Sequence, residues 1–409
     1  MLRFKTDGRI FDYLNISVPI LMGIFLFFNP FSHTTAIKEI CFYLSVFIVL
    51  VLTCSKKTEF SFKSPLALPF VLFVIWAFIG LFFALYKENS IHDFYSHLLK
   101  YIVLYYILIN FFRSKKSLVG LSWIVIISST VFSVGGIIYF YFILENILSE
   151  RFIGFAHASV NIIGVTSVFS MILSLNNLLN ETNFYRKTIL IVCFFLVFIS
   201  LGLSQMRSAF IPLCLAIIIL FINNKKALVA LLVIILISVS FSPLKSRFIP
   251  PYNLLILFRV GINYQTYEII KDYPIAGIGF GMETYKNAVD LKTYHERVPD
   301  EYRENYIYDD PHNMFFDIAV RTGLVGFVLF LYIIFAFFKI CWCCIKNGND
   351  DFIKNWGRCI IASFFSFLFI GFFHPVFSHM PEVILCTIFA MMTILWRLNA
   401  EDGAGKRQG

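Results

Sequence analysis

Charge is what this chain has least of. Asp, Glu, Lys and Arg make up only 14% of its 409 residues, against about 25% in a soluble domain. Hydrophobic residues account for 59% and aromatics for 18%. Apolar runs long enough to cross a bilayer, roughly 17 to 25 residues, recur along nearly the whole length. The net charge of +9 therefore reports membrane topology first and gives no reason to expect a nucleic-acid partner. The alternation of a transmembrane barrel is missing, so backbone groups in lipid have to be satisfied within helices. The one long polar stretch contains no cysteine, so no disulfide staples it. Of the nine cysteines, Cys341, Cys343 and Cys344 form a C-x-C-C cluster. It lacks the second pair or histidine that would complete a zinc site, which leaves packing or lipid-facing thiols. Missing too is an internal repeat of fixed period, which weakens the case for an inverted-repeat transporter.

What is present reads as an all-α, polytopic membrane protein, residues 1–409 forming a single transmembrane unit. About twelve spans are expected, at 13–33, 37–54, 66–86, 97–112, 117–143, 158–179, 187–204, 208–223, 226–242, 313–345, 357–374 and 381–397. Arg3, Lys5 and Arg9 followed by an apolar run from Tyr13 could imitate a secretory signal, but fit an uncleaved first helix better. Lys and Arg gather in alternate short connections: Lys56, Lys57 and Lys63; Arg113, Lys115 and Lys116; Arg186 and Lys187; Lys225 and Lys226; Lys346, Lys354 and Arg358. The tail adds Arg397, Lys406 and Arg407. The opposite short loops hold only Lys38, Lys87, Lys100, Arg151 and Arg207, with no basic cluster. The positive-inside rule then puts both termini in the cytoplasm. The polar stretch 242–312 falls outside, periplasmic in a cell with two membranes.

Within that stretch, 259–272 reads as an amphipathic helix lying against the membrane surface, with Val260, Tyr264, Tyr267 and Ile270 on one face. The portion 282–310, rich in Tyr, Asp and Glu, reads as solvent-facing with short helices. Between them Gly277, Gly279 and Gly281 form a G-x-G-x-G loop. It follows a helix rather than a strand, which argues against nucleotide binding. A tight turn is the better reading, and such a turn can also bring backbone N–H groups to an anion.

Three side chains stand out chemically. Arg207, in the short outer connection LSQMRSAF, is either an arginine snorkelling to headgroups or an anion ligand; Ser204, Gln205 and Ser208 give it polar company. Arg259 opens the amphipathic helix and is either solvated or bound to phosphate. Guanidinium is permanently charged and grips phosphate oxygens in pairs, so two such groups suit a diphosphate. His312 follows Asp309, Asp310 and Pro311 and precedes Asn313 at a helix start. It either caps that helix or takes a proton near neutral pH. His374 and His379 flank Pro375 and, with His312, raise the alternative of a metal site, but no ligand spacing supports one. His157 and Asn161 lie at an outer helix entrance after Arg151, where a structural role is equally open. A basic group and a histidine at a membrane surface point to chemistry on an anionic lipid.

These segments resemble the O-antigen ligase/polymerase superfamily. S-Q-M-R-S-A around Arg207 is similar to that family's short S-R segment. Arg259 followed by D-Y-P-I-A-G-I-G-F-G resembles its Arg…P-x-x-G-x-G segment. D-P-H-N followed by R-T-G-L-V-G resembles its H-N…G-L-x-G segment, with P-H-N where A-H-N is usual. E-R-F-I-G-F-A-H-A-S-V-N is a looser match to an upstream Arg…Gly…Asn element. The resemblance covers about 150–330.

It implies a GT-C-like, integral-membrane glycosyltransferase that needs no metal or other cofactor. Its donor would be a glycan on undecaprenyl diphosphate, and its acceptor, for a ligase, a sugar hydroxyl of lipid A-core; a polymerase would join lipid-linked repeat units. His312, Arg259 and Arg207 would be catalytic, and Arg151, Asn161, Gly277, Gly279 and Asn313 would bind substrate. The setting would be the bacterial inner membrane with the site facing the periplasm, and no oligomeric state is implied. Rival readings are a lipid-glycan flippase, which calls for ionisable residues in mid-helix, and a cell-wall polymerase of the shape–elongation–division–sporulation type. The latter would use an acidic outer-loop residue such as Asp290, Asp300, Glu301, Glu304 or Asp309. A non-enzymatic scaffold would give Arg207, Arg259 and His312 no reason to converge.

Overall fold

A computed structural model describes residues 8–155, 160–222, 224–231, 233, 252–375 and 380–405. Among the described residues all regular structure is helical. The long helices are α1 (Gly8–Phe27), α2 (Thr35–Cys54), α3 (Ala67–Gly80), α4 (Lys87–Phe111), α5 (Lys115–Ile143), α6 (Val160–Asn180), α7 (Phe184–Ser204) and α8 (Arg207–Phe221). After them come α9 (Tyr252–Asp272), the short α10 (Thr284–Ala288) and α11 (Leu291–Glu296), α12 (Met314–Asn347), α13 (Asp351–Gly371) and α14 (Met380–Gly405). Nine of the described helices are long and apolar enough to cross a membrane, with α3 and α8 as shorter apolar helices. The expected span 226–242 lies mostly outside the described residues, as do His157, His379, Lys406, Arg407 and positions 242–251.

The apolar stripes explain the packing order. Helices α6 and α14 are the most buried and form the middle of the bundle, with α13 wedged against α6, α8 and α12. Helices α1 and α2 sit at the edge, and residues such as Ile16, Ile20, Phe47 and Leu50 remain exposed there. An exposed apolar face is what a lipid-facing helix presents. Of the C-x-C-C cluster, Cys341 and Cys344 are buried and Cys343 is exposed.

Two expected boundaries shift for a physical reason. The span expected at 66–86 stops at Gly80 because Leu85 donates its N–H to the Ile278 carbonyl, 2.9 Å away, and so leaves the helix. The helix expected at 97–112 begins ten residues earlier, at Lys87, and loosens through Phe94–Leu99, where Lys100 N–H reaches back five residues to Tyr95. Such a wide turn often sits where a side chain is put to use.

The amphipathic helix turns a second, more polar face into the protein. In α9 Tyr267 is exposed and Val260 and Tyr264 are only half-buried, while Ile262, Gln265, Thr266 and Ile269 are buried, with Ile270 at their edge. The stretch 282–310 is likewise not simply solvent-facing. Tyr285, Tyr294, His295, Val298 and Tyr308 are buried against that face. Gln265 Nε2 donates to the Tyr308 carbonyl at 2.8 Å and to the Tyr285 hydroxyl at 3.2 Å. Buried polar groups on α9 are tolerated because they are hydrogen-bonded. Periodicity, which equates buried with apolar, cannot register that. Gly261 permits the contact: a Cβ there would lie 2.3 Å from the Tyr302 carbonyl oxygen.

Candidate active site

The geometry begins with a break in α12. Gly323 takes φ 69° and ψ 178° inside an otherwise continuous helix, a conformation open to glycine. The break frees backbone groups that must find partners away from water. The Gly-rich loop supplies most of them. Ile278 N–H donates to the Val320 carbonyl at 2.9 Å, Gly279 N–H to the Arg321 carbonyl at 3.1 Å, and Leu324 N–H to the Pro274 carbonyl at 2.8 Å. Trp76 Nε1–H donates to the Thr322 carbonyl at 2.8 Å. The loop can come this close only without side chains: a Cβ on Gly277 would lie 2.5 Å from the Val320 carbonyl oxygen, and one on Gly279 would lie 2.6 Å from Ala84 Cβ. The glycines therefore splice the loop into the helix, and the N–H groups of Ile278 and Gly279 are spent on carbonyls rather than held out to an anion.

Side chains lock the splice from both sides. Asp93 Oδ2 accepts the Met282 N–H at 2.6 Å, and Ser90 Oγ accepts the Gly281 N–H at 3.1 Å. From α12, Arg321 donates through Nε to the Phe280 carbonyl at 2.9 Å and through Nη1 to Asp317 Oδ2 at 3.4 Å. These ionisable groups were not singled out in the sequence. Asp93, His97, Asp317, Arg321 and Glu382 are all buried, His97 near the middle of α4 and the others nearer the N-terminal ends of their helices. His97 Nδ1 and Glu382 Oε2 lie 2.7 Å apart although 285 residues separate them.

His312 stands just before α12. It occupies the left-handed region at φ 48°, uncommon for a residue with a side chain. Asp310 holds that turn, its Oδ1 accepting the His312 N–H at 2.8 Å. The same Oδ1 lies 4.0 Å from the ring Nδ1, too far for a hydrogen bond. The imidazole is half-exposed. Asn313 is the N-cap of α12, its Oδ1 accepting the N–H groups of Phe315 at 2.9 Å and Phe316 at 3.3 Å. Its carbonyl side is thereby occupied with the helix.

Arg259 is half-buried, its Nη1 donating to the Phe373 carbonyl at 3.4 Å and its guanidinium lying 4.9 Å from the Phe373 ring centroid. Burial, and after it the charge of Arg207, lowers the Arg259 pKa. Arg207 is the first residue of α8, after the N-cap Met206 and Gln205, which is in the left-handed conformation. The same turn takes the Arg151 Nε–H on the Ser204 carbonyl at 2.9 Å, while Phe152 N–H bonds the Leu203 carbonyl at 3.1 Å. Asn161 lies one residue into α6. His374, after α13, joins the group: burial, then Arg259, His312 and Arg151, push its pKa down to about 3. Arg259 thus lies within electrostatic range of Arg207, and His374 within range of Arg259, His312 and Arg151, from segments far apart in sequence. The sequence marked His374 only as a candidate ligand. Among the described residues, no three His, Cys, Asp or Glu side chains are arranged to hold a metal.

Such a site can bind a polyanion through several guanidinium groups while a neutral imidazole accepts a proton. No curated protein matches the chain. Residues 192–331, the stretch that carries Arg207, Arg259 and His312, match the family model described as O-Antigen ligase, and this match supports placing the chain in the O-antigen ligase superfamily.

Proposed function

We propose that the chain is an O-antigen ligase, an inverting glycosyltransferase that moves a glycan from undecaprenyl diphosphate to a sugar hydroxyl of lipid A-core. The observation that carries this reading is the convergence of Arg151, Arg207 and Arg259 on the side of the molecule where His312 and His374 lie. The donor arrives activated, so the protein has to create a nucleophile and stabilise a leaving group. His312 takes the acceptor hydroxyl proton, through Nε2 if Nδ1 stays turned to Asp310. The hydroxyl oxygen bonds to the anomeric carbon as the bond from that carbon to the diphosphate oxygen breaks. General-base assistance of this kind contributes about 10²–10⁴-fold.

The charge that develops on the diphosphate is met by Arg207 and Arg259, the latter held by the Phe373 carbonyl and ring. Preorganised charge in a water-poor site is the strongest electrostatic aid an enzyme has. Arg151 adds positive charge from the turn beside Arg207. His374, held neutral, adds none and so does not compete for the proton. On this reading both termini are cytoplasmic and the 242–312 stretch is periplasmic, carrying part of the active site.

The alternative within the same family is a polymerase that joins lipid-linked repeat units, which differs in the acceptor. A lipopolysaccharide gel of a strain lacking the protein separates the two. Core without O-chain, with long glycan accumulating on undecaprenyl diphosphate, supports the ligase. Core capped by a single repeat unit means a polymerase, and an unchanged profile removes both.

A further inference from the structure

A second polar site lies apart from the arginine cluster. The C-terminal end of α1, the N-terminal ends of α2 and α14, and α4 enclose a groove of about 600 Å³. Ser32, Lys38, Glu39, Lys100 and Tyr43 are on its walls. Lys100 Nζ pairs with Glu39 Oε1 at 2.5 Å and rests 5.4 Å from the Phe42 ring centroid. Lys38 is half-buried beside it. Its Nζ donates to the Phe31 carbonyl at 3.4 Å, and no ion pair joins it to a carboxylate among the described residues. The nearby carboxylates Asp93 and Glu382 are turned to His92 and His97, at 2.9 Å and 2.7 Å. The one carboxylate beside the two ammonium groups pairs with Lys100, and Lys100 repels Lys38. Ser32 Oγ is buried in the same wall and has no hydrogen-bond partner among the described residues.

A desolvated cation and a buried hydroxyl each cost free energy unless something pairs with them. One tetrahedral anion would serve both, because its oxygens accept from the ammonium and from the hydroxyl. The surroundings say what the anion is attached to. Tyr43 on the groove wall begins an exposed apolar face of α2 that continues through Leu44, Phe47 and Leu50, spaced as one side of a helix. A free phosphate would make no use of that face, whereas an acyl chain would lie along it.

We propose that this groove binds the phosphate of a membrane-lipid headgroup, with Lys38 as its principal countercharge and the lipid chains along Tyr43, Phe47 and Leu50. The inference does not depend on glycan transfer. Its test is native mass spectrometry of the full-length protein in detergent, titrated with phosphatidylglycerol, lipid A, diacylglycerol and inorganic phosphate. Phosphatidylglycerol or lipid A should be retained by the wild type, and Lys38→Gln should weaken that binding about ten- to a hundredfold. Lys38→Arg should restore it. Whichever of the two phosphate-bearing lipids binds more tightly identifies the occupant. Diacylglycerol held as tightly as phosphatidylglycerol would overturn the phosphate assignment. Inorganic phosphate held as tightly would overturn the lipid assignment. Both comparisons use the wild type alone and stand even if a variant fails to fold. Unchanged affinity in a folded Lys38→Gln protein would remove Lys38 from the site.

Discussion

Arg321 donates from Nε to the backbone carbonyl of Phe280 at 2.9 Å and lies 4.8 Å from the centroid of the same residue's ring. With its Asp317 partner it ties the Gly-rich loop to the helix that starts beside His312. The loop in turn continues from the helix that bears Arg259. The buried ion pair thereby links the loop that follows the Arg259-bearing helix to the helix that starts beside His312.

Removing one side of that pair should be costly. Arg321→Met leaves Asp317 buried and uncompensated, a change worth about 3–5 kcal/mol. Its thermal midpoint should fall well below that of the wild type. The double variant Asp317→Asn, Arg321→Met should recover part of the loss. Additive losses in that cycle would mean that the two side chains are not coupled.

Glycine substitutions should split into two groups. Gly323→Ala puts a Cβ 1.9 Å from the Ile275 carbonyl oxygen and forces alanine into the left-handed region, at a cost of at least about 1–2 kcal/mol. Gly202, inside α7, has nothing within 4 Å of where a Cβ would sit, so Gly202→Ala should be neutral or stabilise by up to about 1 kcal/mol. Melting curves of the two variants compare them directly, and equal midpoints would contradict the splice.

Asn313 tests a cap against a ligand. If its role is to cap α12, Asn313→Ala should lower stability by about 0.5–2 kcal/mol and Asn313→Ser should recover most of it. A ligand role predicts the reverse pattern: unchanged stability, a raised KM for the donor, and no recovery with serine.

His374 makes stability depend on pH with a defined sign. Its folded pKa, about 3, lies below the unfolded value of about 6.5. Between those values the unfolded chain binds the proton and the folded one does not, so stability rises with pH. The midpoint should therefore decline as pH falls below about 6.5, and His374→Asn should flatten that slope. A slope identical in the variant would show that His374 titrates normally.

The sequence made the helical membrane architecture legible and marked a few side chains as chemically unusual. Arg207, Arg259 and His312 stood out because a charged group in an apolar chain has few reasons to be there. The helices were plain for the same reason. What escaped notice was cooperation at a distance. Nothing local signals that His97 meets Glu382, or that the P-I-A-G-I-G segment fills a break at Gly323 made by the R-T-G-L segment. The two segments are far apart in sequence, yet each is the other's hydrogen-bond partner. The inward face of α9 gave no apolar signal, because Gln265 and Thr266 are buried through hydrogen bonds rather than through apolarity.

The central claim is that His312 is the base and the arginines hold the diphosphate. Its most direct test is transfer from purified undecaprenyl diphosphate-linked glycan to lipid A-core by the full-length protein, with donor binding measured on the same samples. His312→Ala should retain donor binding and lose transfer by about 10²-fold or more. Arg259→Lys should weaken donor binding, because an ammonium cannot reproduce the guanidinium fork. Full transfer by His312→Ala, with donor bound as before, would contradict the account.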